Sequence, residues 1–138
     1  MSKKINRNRK REIMEKEFVT YEQSLSLKEL GFDEDCFGFY NDMENNKPMG
    51  GNFPCDGRNS APLYQQAFRW FREKYKIHSS TFWMKIDKSI YWNYRYSYLD
   101  DKSTESVNRS IVYFISPEEA ELACLKKLIE IVKNNVEF

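Results

Sequence analysis

From Ser79 to Ile115 the pattern of the chain changes to a period of two, which suits extended segments with two unlike faces. Phe82, Met84 and Ile86 alternate with Thr81, Trp83 and Lys85, and beyond a tight turn at 87–89 the residues Ile90, Trp92, Tyr94, Tyr96 and Tyr98 share one face of a second run. Two strands of an antiparallel hairpin are predicted. A polar stretch at 100–109 then leads to a predicted third strand at 110–115. Helices need a sheet face to cover, so core packing accounts for the row from Ile90 to Tyr98 better than base stacking does. Tyrosine keeps a polar tip, and the row can emerge at its Tyr98 end. The opposite face, with Tyr91, Asn93, Arg95 and Ser97, is mixed and reads as solvated.

The flanking segments change period. Thr20 and Gln23 have capping-box spacing and Gly31 stands at the end of the run 21–30. Phe32 beyond it can touch Leu27, so a helix closed by a Schellman turn is predicted there. Residues 36–40 read as a short strand. The polar connection 41–60, with Pro48, Gly50, Gly51, Pro54 and Gly57, is long for a compact domain and such lengths are often functional; 49–53 has room for a short strand. A second helix is predicted from 60–62 to about 75, because proline is tolerated only in a first turn, with Tyr64, Ala67, Phe68, Phe71 and Tyr75 as its apolar stripe. Ser116, Pro117 and Glu119 open the last helix, which runs to about 134. Its acids crowd the N-terminal end, its lysines lie later, and Leu125, Leu128, Ile129 and Val132 face the sheet.

The order α-β-loop-α-β-β-β-α gives an α+β fold, a single domain over residues 18–138 with a mostly antiparallel sheet of about three to five strands packed by two to three helices. Residues 1–17 are expected to form a flexible basic arm, helical at most from Glu12. Six of the chain's 22 basic residues, Lys3, Lys4, Arg7, Arg9, Lys10 and Arg11, lie in 3–11 without an acid, which leaves 16 basic against 21 acidic residues in 12–138. Such an arm seeks phosphate or an acidic protein surface; an acidic body repels nucleic acid unless its charges are segregated. A mean hydropathy of −0.77 is low, but 16% aromatic content is that of a folding chain. No apolar run is long enough to span a bilayer and no signal-peptide pattern follows the basic start. Three irregularly spaced cysteines argue against a disulfide framework, so the expected place is a reducing cytoplasm.

The segments 21–34 (YEQSLSLKELGFDE), 67–75 (AFRWFREKY) and 118–130 (EEAELACLKKLIE) resemble a functionally uncharacterised family of short proteins encoded by phages and mobile elements of the Bacteroidetes group. The resemblance covers residues 17–134. Its motifs are helix caps and core faces, so it implies a fold and a genomic setting, that of an accessory protein acting on a host system, and carries over no catalytic residues.

The residues themselves argue against most chemistry. His78 is the only histidine, and its spacing to Cys55, the best-placed nucleophile, supports no catalytic pair. No Cys-x-x-Cys pair is present for zinc, and no Gly-Lys-Ser/Thr follows Gly50 and Gly51 to make a phosphate cradle. The acids at 33–35 and at 100–101 read as solvated turns. No catalytic, cofactor or metal residues are assigned. What is left is binding: the arm residues, together with Arg69, Arg72 and Lys76, which with Gln65 form the stripe of the second helix opposite its apolar one. The expected protein is a non-catalytic, anti-CRISPR-like accessory protein that modulates or inhibits a host protein or ribonucleoprotein complex. The alternatives are direct binding of RNA or single-stranded DNA, and a small enzyme acting on a nucleotide signal. No membrane partner is expected, and the oligomeric state stays open.

Overall fold

Two helix ends that the sequence marks clearly are built as it marks them. In the computed structural model, which describes residues 16–40, 48–53, 59–99 and 107–136, helix α1 spans Tyr21–Glu29. Thr20 Oγ1 accepts from the Gln23 amide at 3.2 Å, and Gln23 Oε1 accepts from the Thr20 amide at 3.3 Å, the reciprocal pair of a capping box. At the other end Gly31 adopts φ 98°. The amides of Gly31 and Phe32 donate to the carbonyls of Lys28 and Leu27 at 3.0 and 2.9 Å, which is the Schellman pattern.

The chain divides into two compact units, residues 1–64 and 65–138. In the first, α1 is joined by β1 (Cys36–Tyr40), β2 (Pro48–Phe53) and β3 (Asn59–Ser60), which form an antiparallel sheet in the order β2-β1-β3. Beyond β3 the chain stays extended. The Ala61 amide donates to Gly38 O and the Val19 amide to Pro62 O, both at 2.9 Å, and Leu63 bridges to Phe18. Helix α2 therefore starts later than the predicted 60–62, at Tyr64, because those residues are already committed to strand-like hydrogen bonds. Phe18, Tyr40 and Ala61 are the buried cluster, with Tyr21 edge-on to Tyr40 at 5.4 Å. Gln23 is buried and its Oε1 also accepts from the Tyr64 hydroxyl at 3.1 Å, so the capping side chain is satisfied inside the unit.

The second unit holds all but the first residue of α2 (Tyr64–Tyr75), then β4 (Ile77–Ile86), β5 (Ser89–Tyr98), β6 (Val107–Arg109) and α3 (Pro117–Val136), with sheet order β4-β5-β6, again antiparallel. The α+β class and the antiparallel pairing are as expected, and among the described residues six strands are shared between two sheets of three. The hairpin pairs Ile77 with Tyr98 through to Ile86 with Ser89, closing on Asp87 and Lys88, with Asp87 at φ 57°. On α3, Ser116 Oγ accepts from the Glu119 amide at 3.2 Å. Ala120, Cys124, Leu125, Leu128, Ile129 and Val132 are buried, and the helix packs on β4 and β5.

The third strand is where expectation and structure part. Residues 110–115 were expected to pair; instead 107–109 pair, and 111–113 leave the ladder. The reason is Asn93. Its side-chain amide is inserted where a ladder bond would be, Oδ1 accepting from the Tyr94 amide at 2.7 Å and Nδ2 donating to Ser110 O at 3.0 Å. Ser110 N–H still reaches Tyr94 O at 3.2 Å, and the ladder resumes only at Phe114, which exchanges both backbone bonds with Trp92 at 2.7 and 2.8 Å. Three residues are thus pushed out opposite one, an enlarged bulge that the Ser110 hydroxyl steadies by accepting from the Val112 amide at 3.1 Å.

Candidate binding surface

Pushing 111–113 out of the ladder exposes side chains that a strand would have half buried. Ile111 is 95% exposed and Ile115 78%, with Val112 and Tyr113 more than half exposed. Tyr113 leans on Tyr91, ring centroids 6.0 Å apart. Cross-strand partners share a face, so Trp83 of β4, Trp92 of β5 and Phe114 form a row across the hairpin, with Tyr94 stacked on Phe114 at 6.2 Å. Trp83 is 61% exposed and Ile90, on the same face, 56%. The aromatic row is therefore core only around Tyr94, which is buried. It emerges at Tyr98, as expected, and also at its other end, where Ile90 was expected in the core. Asn93, expected on a solvated face, is 3% exposed because the bulge covers it.

The stripe on α2 divides. Gln65, Arg69 and Arg72 line a cleft of about 490 Å³ with Phe68, residues 79–81 of β4, and Glu121 and Cys124 of α3. Gln65 Nε2 donates to Glu121 Oε2 at 3.5 Å across it. Lys76 is not part of the cleft. It ends α2 at φ 57°, and its carbonyl accepts from the Leu99 amide at 2.7 Å. Lys74 lies over the rings of Trp70 and Tyr75, at 5.0 and 5.6 Å. The arm residues Lys3, Lys4, Arg7, Arg9, Lys10 and Arg11, and Cys55, lie outside the described residues.

Burial pushes the Cys124 thiol up to about 12, against a smaller opposing effect of the Ser79 hydroxyl beside it, with Glu121 adding to the rise. That thiol stays protonated and is no activated nucleophile. His78 is exposed on β4 opposite Ser97 and borders a shallow hollow of about 210 Å³ with Ser80, Arg95 and Val107. Arg95 faces Arg109 directly across β5 and β6, donates from Nε to Ser80 Oγ at 3.0 Å and lies over the Phe82 ring at 5.5 Å. Two like charges opposite each other are ordinarily unfavourable. Sequence reasoning missed this pair because β6 was expected further along the chain. Among the described residues no group of three or more His, Cys, Asp or Glu is placed to hold a metal, and no helix is long and apolar enough to cross a membrane.

With the basic residues of 3–11 included, the first unit holds 10 basic and 11 acidic residues and the second 12 and 10; the acidic excess lies in 12–64, with 4 basic against 11 acidic residues. No family model, curated protein or solved structure matches this chain. The surface must be interpreted from its own chemistry.

Proposed function

We propose that this chain is a non-catalytic accessory protein of phage or mobile-element origin that binds a host macromolecular complex of the nucleic-acid-handling or defence kind, in the manner of an anti-CRISPR protein, and modulates or inhibits it by occlusion. The observation that carries the reading is the apolar surface made by the bulge and the hairpin end: Ile111, Ile115, Trp83 and Ile90 project into water while the chain spends a buried asparagine to hold the bulge open. Exposed large apolar side chains with aromatic anchors are the usual core of a protein-binding patch; here Trp83 and Ile90 lie on the Trp92 face of the hairpin, and Tyr113 leans on Tyr91 of the other. The resemblance to phage proteins supplies the setting.

The test is capture from nuclease-treated lysate of a bacterial host by tagged full-length protein, beside Trp83→Ser and Ile111→Ser. Both positions are solvent-exposed, so the variants should keep their fold. A defined protein complex retained by the parent and lost from both variants is the expected result; equal retention by all three removes the apolar surface from the mechanism.

A second reading, direct binding of RNA or single-stranded DNA, is favoured by one observation, the juxtaposition of Arg95 and Arg109 on a unit without acidic excess. It requires that nuclease abolish all capture. Affinity for a single-stranded oligonucleotide should then fall steeply with salt, and the dependence should flatten on deletion of residues 2–11.

A further inference from the structure

The cleft between α2, β4 and α3 stands apart from the apolar surface and has a different chemistry. One wall carries two guanidinium groups, Arg69 and Arg72, one helical turn apart on an exposed stripe. Another wall is β4, which among the described residues is an edge strand of its sheet and contributes Ser79, Ser80 and Thr81. Phe68 and Glu121 also line the cleft, and Glu121 accepts there from Gln65 Nε2 at 3.5 Å. Deep in the wall the Cys124 thiol is neutral and the Ser79 hydroxyl is buried with only that weak sulfur partner beside it, so neither adds negative charge. The volume falls within the roughly 300–1,000 Å³ usual for small-ligand pockets.

We propose that this cleft binds a small phosphomonoester attached to a planar, amine-bearing ring, by chemical class a nucleoside monophosphate. The two guanidinium groups match a dianionic phosphate through charge-assisted, bidentate hydrogen bonds. Phe68 stacks the ring, and Glu121 accepts from its exocyclic amine. A polynucleotide fits less well, because its internal phosphates carry one charge each where a terminal monoester carries nearly two. The inference does not rest on the protein-binding role proposed above, and either can fail alone.

The experiment is calorimetric titration of the full-length protein with the four common nucleoside 5′-monophosphates, with inorganic phosphate and with the unphosphorylated nucleosides, repeated on Arg69→Gln, Arg72→Gln and the control Lys126→Gln. At least one nucleotide is expected to bind, tenfold or more tighter than inorganic phosphate or its own nucleoside. Each arginine variant should weaken it about tenfold and the control should not. Circular dichroism and thermal midpoints of the free variants should match the parent, since these side chains are exposed. Absence of binding by all four nucleotides at millimolar concentration, or unchanged affinity in both arginine variants, overturns the assignment. Equal affinity for inorganic phosphate and nucleotide overturns the ring half of it.

Discussion

Replacing Asn93 by alanine tests the account of the bulge at its origin. The side chain makes two hydrogen bonds, from the Tyr94 amide at 2.7 Å and to Ser110 O at 3.0 Å, in a site 3% exposed. Each is worth about 1 kcal/mol net, and each backbone group left buried without a partner costs about 1–3 kcal/mol more unless water enters the void. With partial rescue by water, the expected loss for Asn93→Ala is about 2–4 kcal/mol, a large share of the 5–15 kcal/mol typical of a folded domain. Urea unfolding reads the loss, and hydrogen exchange locates it: the Phe114 amide, which donates to Trp92 O at 2.8 Å, should lose protection before the centre of β5 does. Asn93→Asp sharpens the test. A carboxylate still accepts from Tyr94 but repels the Ser110 carbonyl, whereas its protonated form can donate to that carbonyl. The folded state then holds the proton more tightly than the unfolded one, so the deficit should be full above the folded-state pKa and shrink as pH falls through it. A change under 0.5 kcal/mol in Asn93→Ala, with Phe114 protection intact, would refute the inserted-amide explanation.

Other outcomes follow from single positions. Trp83 leaves about 150 Å² of its roughly 250 Å² exposed; at about 25 cal/mol per Å² its burial against a partner is worth up to about 4 kcal/mol before ordering costs. Trp83→Ser should therefore weaken binding of an isolated partner by 2 kcal/mol or more while leaving the unfolding midpoint in place. Gly31 and Lys76 are both left-handed residues where helices end, at φ 98° and 57°. Gly31→Ala should cost about 1–2 kcal/mol and Lys76→Gly should stabilise by about 0.5–1 kcal/mol in denaturant titrations. Cys124 is held protonated by burial, its thiol raised to about 12 against 9 in the open chain. Its contribution is present in full below pH 9 and lost as pH climbs toward 12, so the parent should lose stability over that window by a few kcal/mol more than Cys124→Ala does.

The parts of the fold that were legible in the sequence are those where one residue type serves one backbone need. Thr20, Gln23, Gly31 and Ser116 mark helix ends because only a few side chains can satisfy the bare amides and carbonyls there, and the hairpin followed from a strict period of two. The start of α2 was less legible. Proline at 62 suits a first turn as well as an extended segment, and the choice was made by Val19 and Gly38, far away in sequence. The third strand failed for a similar reason. Ile111, Val112, Tyr113 and Phe114 have strong strand preference, and nothing local says that a single asparagine on the neighbouring strand will hold them off. The one available signal was Asn93 itself, a polar amide set between the aromatic residues Trp92 and Tyr94. Of the site, Arg69 and Arg72 were legible as a ridge; that they line a cleft depended on where β4 and α3 come to lie.

An apolar segment at the edge of a sheet can be exposed for two opposite reasons, and the geometry decides between them. A flat edge with unpaired amides invites another strand, and Ile111 to Ile115 in regular extension would be such an edge. Here Ser110 and Phe114 are tied to Tyr94 and Trp92, the bulge folds on the Ser110 hydroxyl, and the paired length of β6 is only three residues. The Val112 and Ile115 amides are already taken, by Ser110 Oγ at 3.1 Å and Glu119 Oε2 at 3.2 Å, which hinders backbone pairing with a further strand where the side chains are most exposed. Recognition through this segment must then go through side chains, whose shapes discriminate, and not through main-chain hydrogen bonds, which do not. That separates a specific binding surface from a sticky edge, and it makes Asn93 the residue on which the distinction turns.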